Sequence, residues 1–378
     1  MRAVRIFLPL SLAAMVLAGC APAAVSQSDL DTPEYHYRLG MRSLDDGDYS
    51  TARSAFQRAV DLDKKFAIGW GGLGLTQAYM GDAEAGEASV DKGIKLNGQS
   101  AAAQIFRGRF FIVIQNGKWF AEAQKSLNRA LALDRGNERA NYYLGEANFY
   151  QTNFRAAEAY FGGVVEMSGE MAGKADERWA TTQKIIRARP GSDASKKIAI
   201  KAEISRADLA VLFSEELKLK AIFARASSGT SPQATFQPPG AAAAAATAMT
   251  VPADVKGSWA EPWIKESLEL GVFEADPSGN FYPAQAVTRV DYAMAVQRIL
   301  TKVTGDSSLD TKYFGESTSR FNDVPASHFA YNAMALAAER GIMKADMMTG
   351  NFNPSGAVGG ADALLIIREI QNSLRITF

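Results

Sequence analysis

The chain has 378 residues, with 41 Lys+Arg against 41 Asp+Glu, 47% hydrophobic residues, one cysteine and two histidines. That length predicts two or three domains. The even charge excludes the basic stripe of a nucleic-acid binder, the single cysteine excludes an intrachain disulfide, and two distant histidines, His36 and His328, exclude a clustered Cys/His zinc site.

In chain order, Arg2 and Arg5 precede an apolar run from Ile6 to Ala18. The run is shorter than the roughly 20 residues of a membrane span and suits a cleaved export signal. It ends Leu17-Ala18-Gly19-Cys20. This tetrapeptide resembles the bacterial lipobox, in which the cysteine is acylated and becomes the new N-terminus. The resemblance implies a signal peptide over 1–19, a membrane anchor through the lipid on Cys20, and a small, polar tether over 20–32. Each buried acyl methylene contributes about 0.8 kcal/mol, so two or three chains hold firmly. Ala21, where an Asp would signal inner-membrane retention, implies an outer-membrane lipoprotein facing the periplasm.

From residue 33 the chain repeats itself. Leu39-Gly40, Leu73-Gly74, Arg107-Gly108 and Leu144-Gly145 recur at steps of 34, 34 and 37, and Ala52, Gly86, Ala123 and Ala157 at 34, 37 and 34. Phe56, Val90, Leu127 and Phe161 follow the second set by four each time. Small residues let paired helices approach, and large ones one turn on fill the gap to the next pair. Gly47, Gly81, Gly117 and Thr152 mark the turns within pairs. A lone hairpin cannot bury its own face, so stacking is required. These residues resemble four tetratricopeptide repeats over 33–171. The resemblance implies a groove for a protein partner lined by Tyr37, Met41, Leu75, Tyr79, Ile112, Tyr142, Glu146, Phe149 and Tyr150, an apolar and aromatic set suited to a peptide.

A second repeat occupies 175–378. Asp254-Val255, Trp259-Ala260, Gly271, Asn280-Phe281-Tyr282-Pro283 and Val287-Thr288-Arg289-Val290-Asp291 correspond to Asp323-Val324, Phe329-Ala330, Gly341, Asn351-Phe352-Asn353-Pro354 and Val358-Gly359-Gly360-Ala361-Asp362. A poorer copy upstream keeps Trp179-Ala180 and Ile204-Ser205-Arg206-Ala207-Asp208. Each copy reads as helix, loop, helix, with Thr288-x-x-Asp291 and Ser205-x-x-Asp208 as capping boxes. The pattern resembles the S-layer homology module: three copies at 175–220, 251–301 and 321–374, a flexible Pro/Ala-rich insert at 227–250, and a shorter flexible one at 302–320. The expected fold is mainly α, a tetratricopeptide solenoid followed by a pseudo-threefold helical domain whose second helices, near 206–219, 289–301 and 360–373, form a central bundle.

That resemblance implies grooves between copies that bind cell-wall polymers, with Arg289, Asp254, Gly271, Trp259, Arg206, Asp323 and Gly341 at the ligand. An arginine at a helix N-terminus suits an anionic sugar. Gly360 replaces that arginine in the last copy, so one or two grooves are expected to work. No nucleophile elbow, phosphate loop or metalloprotease motif occurs. The expectation is therefore not an enzyme, with no cofactor and no metal. It is a lipoprotein scaffold whose partners are the membrane, peptidoglycan or a secondary cell-wall polymer, and an envelope protein, with no nucleic acid. The alternative is an assembly factor for a secretin, pilus or export complex that uses the second repeat for protein docking.

Overall fold

The computed structural model describes Ser28, residues 30–229 and residues 251–374. Cys20, the signal segment and 230–250 of the expected insert lie outside the described residues. Among the described residues the fold is helical, with no strand and two isolated antiparallel bridges. No helix there is long and apolar enough to cross a membrane. Contacts divide the chain into two compact units, one ending at Arg135 and one beginning at Gly136. The boundary falls after the third expected tetratricopeptide repeat.

The first unit holds three helical hairpins: α1 (Pro33–Asp45) with α2 (Tyr49–Leu62), α3 (Ala67–Tyr79) with α4 (Ala83–Leu96), and α5 (Ala101–Ile114) with α6 (Trp119–Leu133). Side chains of Thr32, Asp48, Asp82 and Ser100 accept the first free N–H groups of four of these helices. Gly47, Gly81 and Gly117 turn each pair at φ of 78°, 88° and 51°. The recurring glycine and the recurring large residue meet inside each hairpin. A Cβ on Gly40 would lie 2.8 Å from the Phe56 ring, and one on Gly108 2.6 Å from Leu127. Phe56 also covers Gly72 of the next hairpin. The large residues therefore close their own hairpin first, rather than only the gap between hairpins.

The second unit begins with a fourth hairpin, α7 (Glu138–Tyr150) and α8 (Phe154–Met167). Gly145 lies against Phe161 as in the earlier pairs, and Thr152 turns the chain at φ 64° without being a glycine. Next come α9 (Ala172–Ala188), α10 (Asp193–Ala199), α11 (Arg206–Glu215), α12 (Leu219–Gly229), α13 (Glu261–Glu269), α14 (Arg289–Thr304), α15 (Tyr331–Glu339) and α16 (Gly360–Ser373). One core runs from Phe161 and Val164 through Ala175 and Ile185 to Leu212, Ile299 and Ile367. The fourth hairpin thus buries its open face against α9.

Two expectations need correction. The insert assigned to 227–250 begins inside α12, which continues to Gly229. Residues 302–320 are not a flexible insert. A short 3-10 helix, Ser307–Asp310, packs on α14, and Leu309 and Tyr313 are only 4% and 3% exposed. Asn332 pins both, donating to the Leu309 carbonyl at 2.8 Å and accepting the Tyr313 N–H at 2.8 Å. Two isolated apolar residues give no periodic signal, and their anchor lies far along the chain.

Two substitutions test this packing. Gly74→Ala would place a Cβ 2.5 Å from the Gly86 carbonyl oxygen, and it is expected to cost about 1–3 kcal/mol. Thr152→Gly relieves a left-handed β-branched residue, and is expected to be neutral or to gain up to about 1 kcal/mol. Thermal unfolding followed by circular dichroism measures both.

Candidate functional site

Three helix pairs of the second unit close into a ring. Module 1 comprises α9 to α11, module 2 α13 and α14, module 3 α15 and α16. The second helix of each module packs on the first helix of the next: α11 on α13, α14 on α15, α16 on α9. At the centre three backbone hydrogen bonds form a closed triangle. Val287 N–H donates to Ile204 O, Val358 N–H to Val287 O, and Ile204 N–H to Val358 O, at 2.9, 3.0 and 2.9 Å. All three side chains are buried.

The motif residues lie around this triangle. Ser205 and Thr288 cap α11 and α14, and Asp208 and Asp291 complete both boxes. Gly359 has no hydroxyl, and Asp362 there pairs with Lys184 at 2.8 Å. Arg206 reaches into module 2, donating from Nε to Phe281 O at 2.8 Å and from Nη2 to Glu274 O at 3.1 Å. Arg289 does the same in module 3, to Phe352 O at 2.7 Å and Lys344 O at 2.8 Å. Each guanidinium lies over the phenylalanine ring it serves, at 4.6 Å and 4.7 Å from the centroid. Burial pushes both groups below the usual arginine value, opposed by Asp291 at Arg206 and by Asp362 at Arg289. Asp254 accepts the N–H groups of Phe281 and Tyr282 at 3.0 and 2.6 Å, and Asp323 those of Phe352 and Asn353 at 2.8 and 2.6 Å. These carboxylates hold Tyr282 and Asn353 in the left-handed region, at φ 57° and 55°. Gly271 and Gly341, at φ 63° and 69°, end α13 and α15. The six residues therefore order the loops that wall the grooves.

Trp259 stands apart. It is 57% exposed and borders a groove of about 460 Å³ between modules 1 and 2. The opposite wall carries Lys201, whose ammonium lies 2.7 Å from the buried Asp208 carboxylate. Trp263 turns inward instead, donating from its indole to Glu215 at 2.9 Å. Phe329 occupies the module 3 position of Trp259 and is 76% exposed. Neither Phe329 nor Lys201 was expected as a site residue. The repeat offset that aligns Phe329 with Trp259 was a signal for the first, and nothing in the sequence marked the second.

The third junction, between modules 3 and 1, is closed. A Cβ on Gly360 would lie 1.8 Å from Ile198 O, because the α10 backbone fills the space where an arginine would extend. Arg368, two turns further on, holds the loop instead through Ala188 O at 2.7 Å and Arg189 O at 3.1 Å.

The expected tetratricopeptide groove is corrected at five positions. Leu75 and Phe149 are fully buried, and Ile112, Tyr142 and Glu146 are 7%, 8% and 8% exposed. They pack within the helices and present almost no surface. Tyr37 is half-buried among the rings of Phe56, Phe66 and Phe106, with Met41 packed on the same cluster. Tyr79 is 38% exposed and stacks on Tyr49 at 4.6 Å. Glu146 pairs with Arg178 of α9 at 2.7 Å, and the same arginine reaches the Tyr150 hydroxyl at 3.3 Å.

Restoring the missing arginine separates the closed junction from the open ones. Gly360→Arg is expected to destabilise by about 3 kcal/mol or more, since backbone must move. Arg289→Lys is expected to cost about 1–2 kcal/mol, because one ammonium cannot fork to both carbonyls. Urea unfolding with equal m-values reads both.

No curated protein matches the chain. One solved structure similar to it is described as "Crystal structure of MamA protein", at 20% identity and a TM-score of 0.28, covering 41% of this chain and 86% of that one. Residues 253–293 and 320–364, which hold modules 2 and 3 up to the first turn of their second helices, match the S-layer homology domain family.

Proposed function

We propose that the chain is a cell-envelope scaffold without catalytic activity, held to the outer membrane by a lipid on Cys20 and to peptidoglycan or an attached polymer by the grooves between its modules. The observation that carries this reading is the pair of exposed aromatics at one module position, Trp259 and Phe329, each beside an inter-module loop. An exposed ring on a rigid loop offers a sugar an apolar face. At Trp259 the groove adds polar partners, Lys201, which is paired with the buried Asp208, and Glu203. Arg206 and Arg289 act mainly by ordering the groove walls, and Asp254, Asp323, Gly271 and Gly341 act the same way. The helical hairpins supply a surface for an envelope protein, with Tyr79 the exposed member of the expected set and Tyr37, Met41 and Tyr150 half-buried. Membrane and wall contacts would combine through effective concentration.

The assembly-factor reading draws on the closed third junction, which removes one of three grooves. Co-sedimentation with peptidoglycan sacculi, before and after stripping attached polymers, decides between them. The chain lacking residues 1–20 is expected to sediment, and Trp259→Ala with Phe329→Ala to weaken that at least about tenfold, the loss of two stacking contacts. A folded chain that does not sediment with either preparation would favour the assembly factor. Cys20→Ser is expected to release the full chain from the membrane fraction.

A further inference from the structure

The exposed phenylalanine of module 3 has a neighbour that its counterpart in module 2 lacks. Trp259 follows Ser258, and Phe329 follows His328. The two preceding residues do the same structural work. Ser258 Oγ accepts the Ala260 N–H at 3.3 Å, and His328 Nδ1 accepts the Ala330 N–H at 3.1 Å. Each bond ties down the N-cap residue of its module's first helix, α13 or α15. The acceptors differ in chemistry. A serine hydroxyl accepts at every ordinary pH. An imidazole nitrogen accepts only while it carries no proton, so the Nδ1 bond assigns a neutral ring with its proton on Nε2.

The same imidazole carries Phe329. The two rings stack with centroids 4.6 Å apart and planes at 29°, and Phe329 is 76% exposed while His328 is half-buried. Among the described residues the histidine that forms an ion pair is His36, on Asp31; His328 forms none. The ionisable groups around its loop are committed elsewhere. Asp323 accepts the Phe352 and Asn353 N–H groups, Tyr331 of α15 donates to Glu316, and Arg320 pairs with Glu316. From α14, Gln297 meets the start of α15 by accepting from Asn332, and it is uncharged. No described carboxylate stands within ion-pair distance to receive a protonated His328.

We propose that His328 is a proton-operated catch on Phe329. The neutral imidazole accepts the Ala330 N–H and holds the phenylalanine ring by stacking. A proton on Nδ1 turns the acceptor into a donor, so two N–H groups face each other. It also puts a positive charge at the N-terminus of α15, where the helix dipole opposes it. The imidazole then has to turn away, and the stack with Phe329 is lost with it. Imidazoles change charge between about pH 5 and 8. The stabilisation belongs to the neutral form, so it is present at the upper end of that range and lost as pH falls. Ser258 does not titrate, so Trp259 has no such control. The consequence for wall binding, a Phe329 contact that weakens in acid while the Trp259 contact persists, rests on the function proposed above; the catch itself does not.

The chain has two histidines, so nitrogen-15 histidine spectra of the chain lacking residues 1–20 resolve both rings, with His36→Gln to assign them. At pH 8 the His328 ring is expected as the Nε2–H tautomer. Between pH 8 and pH 5 the Ala330 amide and the Phe329 ring signals are expected to move with its titration, while the Ala260 amide stays still. Melting then compares this protein with His328→Ser, which copies module 2. The two are expected to melt together at pH 8, and the histidine protein about 2–4 °C below the variant at pH 5. Carboxylates and His36 titrate in both and cancel. An Nδ1–H tautomer at pH 8, an Ala330 amide indifferent to the ring, or a melting gap that does not change with pH would each overturn the proposal. With sacculi, the histidine protein is expected to lose about threefold in affinity on going to pH 5 relative to His328→Ser, the loss of one stacking contact. If sacculi capture neither protein, the wall-binding reading fails and the spectra still decide the catch.

Discussion

Three peptide groups, at Ile204, Val287 and Val358, hydrogen-bond to one another in a closed triangle, and the second unit is organised around it. Buried N–H and C=O groups must be paired. In this triangle each is paired only if all three modules are present. A two-module fragment would leave a donor and an acceptor open in an apolar centre, at a cost of about 1–3 kcal/mol each. The triangle also sets the position of the grooves, since the residue after it caps α11 and α14.

The motif arginines extend that logic outward. A residue placed by its module points into the next one and holds that module's loop, so walls are built in trans around the ring. Module 1 breaks the pattern in a coupled way. It carries α10 where the other modules carry a loop ending in Phe-x-Pro, and α10 needs the space of a side chain at position 360. The missing arginine and the additional helix are one change seen from two sides. Arg368 then takes over the holding of module 1 from further along α16.

Module 1 also joins the fourth hairpin to the ring. Its first helix serves α8 on one side and α16 on the other. That double duty explains why α9 is 17 residues long when α13 and α15 have 9 each. It also explains why Trp179, aligned with Trp259 by sequence, lies inside a helix and packs on the core.

The sequence by itself determined the elements and their order. Glycines at Gly40, Gly74, Gly108 and Gly145, at steps of 34, 34 and 37, point to closely paired helices, because contacts within a hairpin are local and recur. Capping boxes at Ser205 and Thr288 and the glycines at Gly271 and Gly341 are equally local, and they were legible for the same reason. What only the tertiary structure decided is where side chains of different modules go. Leu75 lies one turn before Tyr79 and Phe149 is the neighbour of Tyr150, and only packing separates buried from open. Arg289 reads as a ligand contact until Phe352 and Lys344, more than 50 residues away, are brought to its guanidinium. Lys201 has no motif at all. Local geometry is written in spacing; burial and pairing depend on partners distant in the chain, and those exist only once the ring has closed.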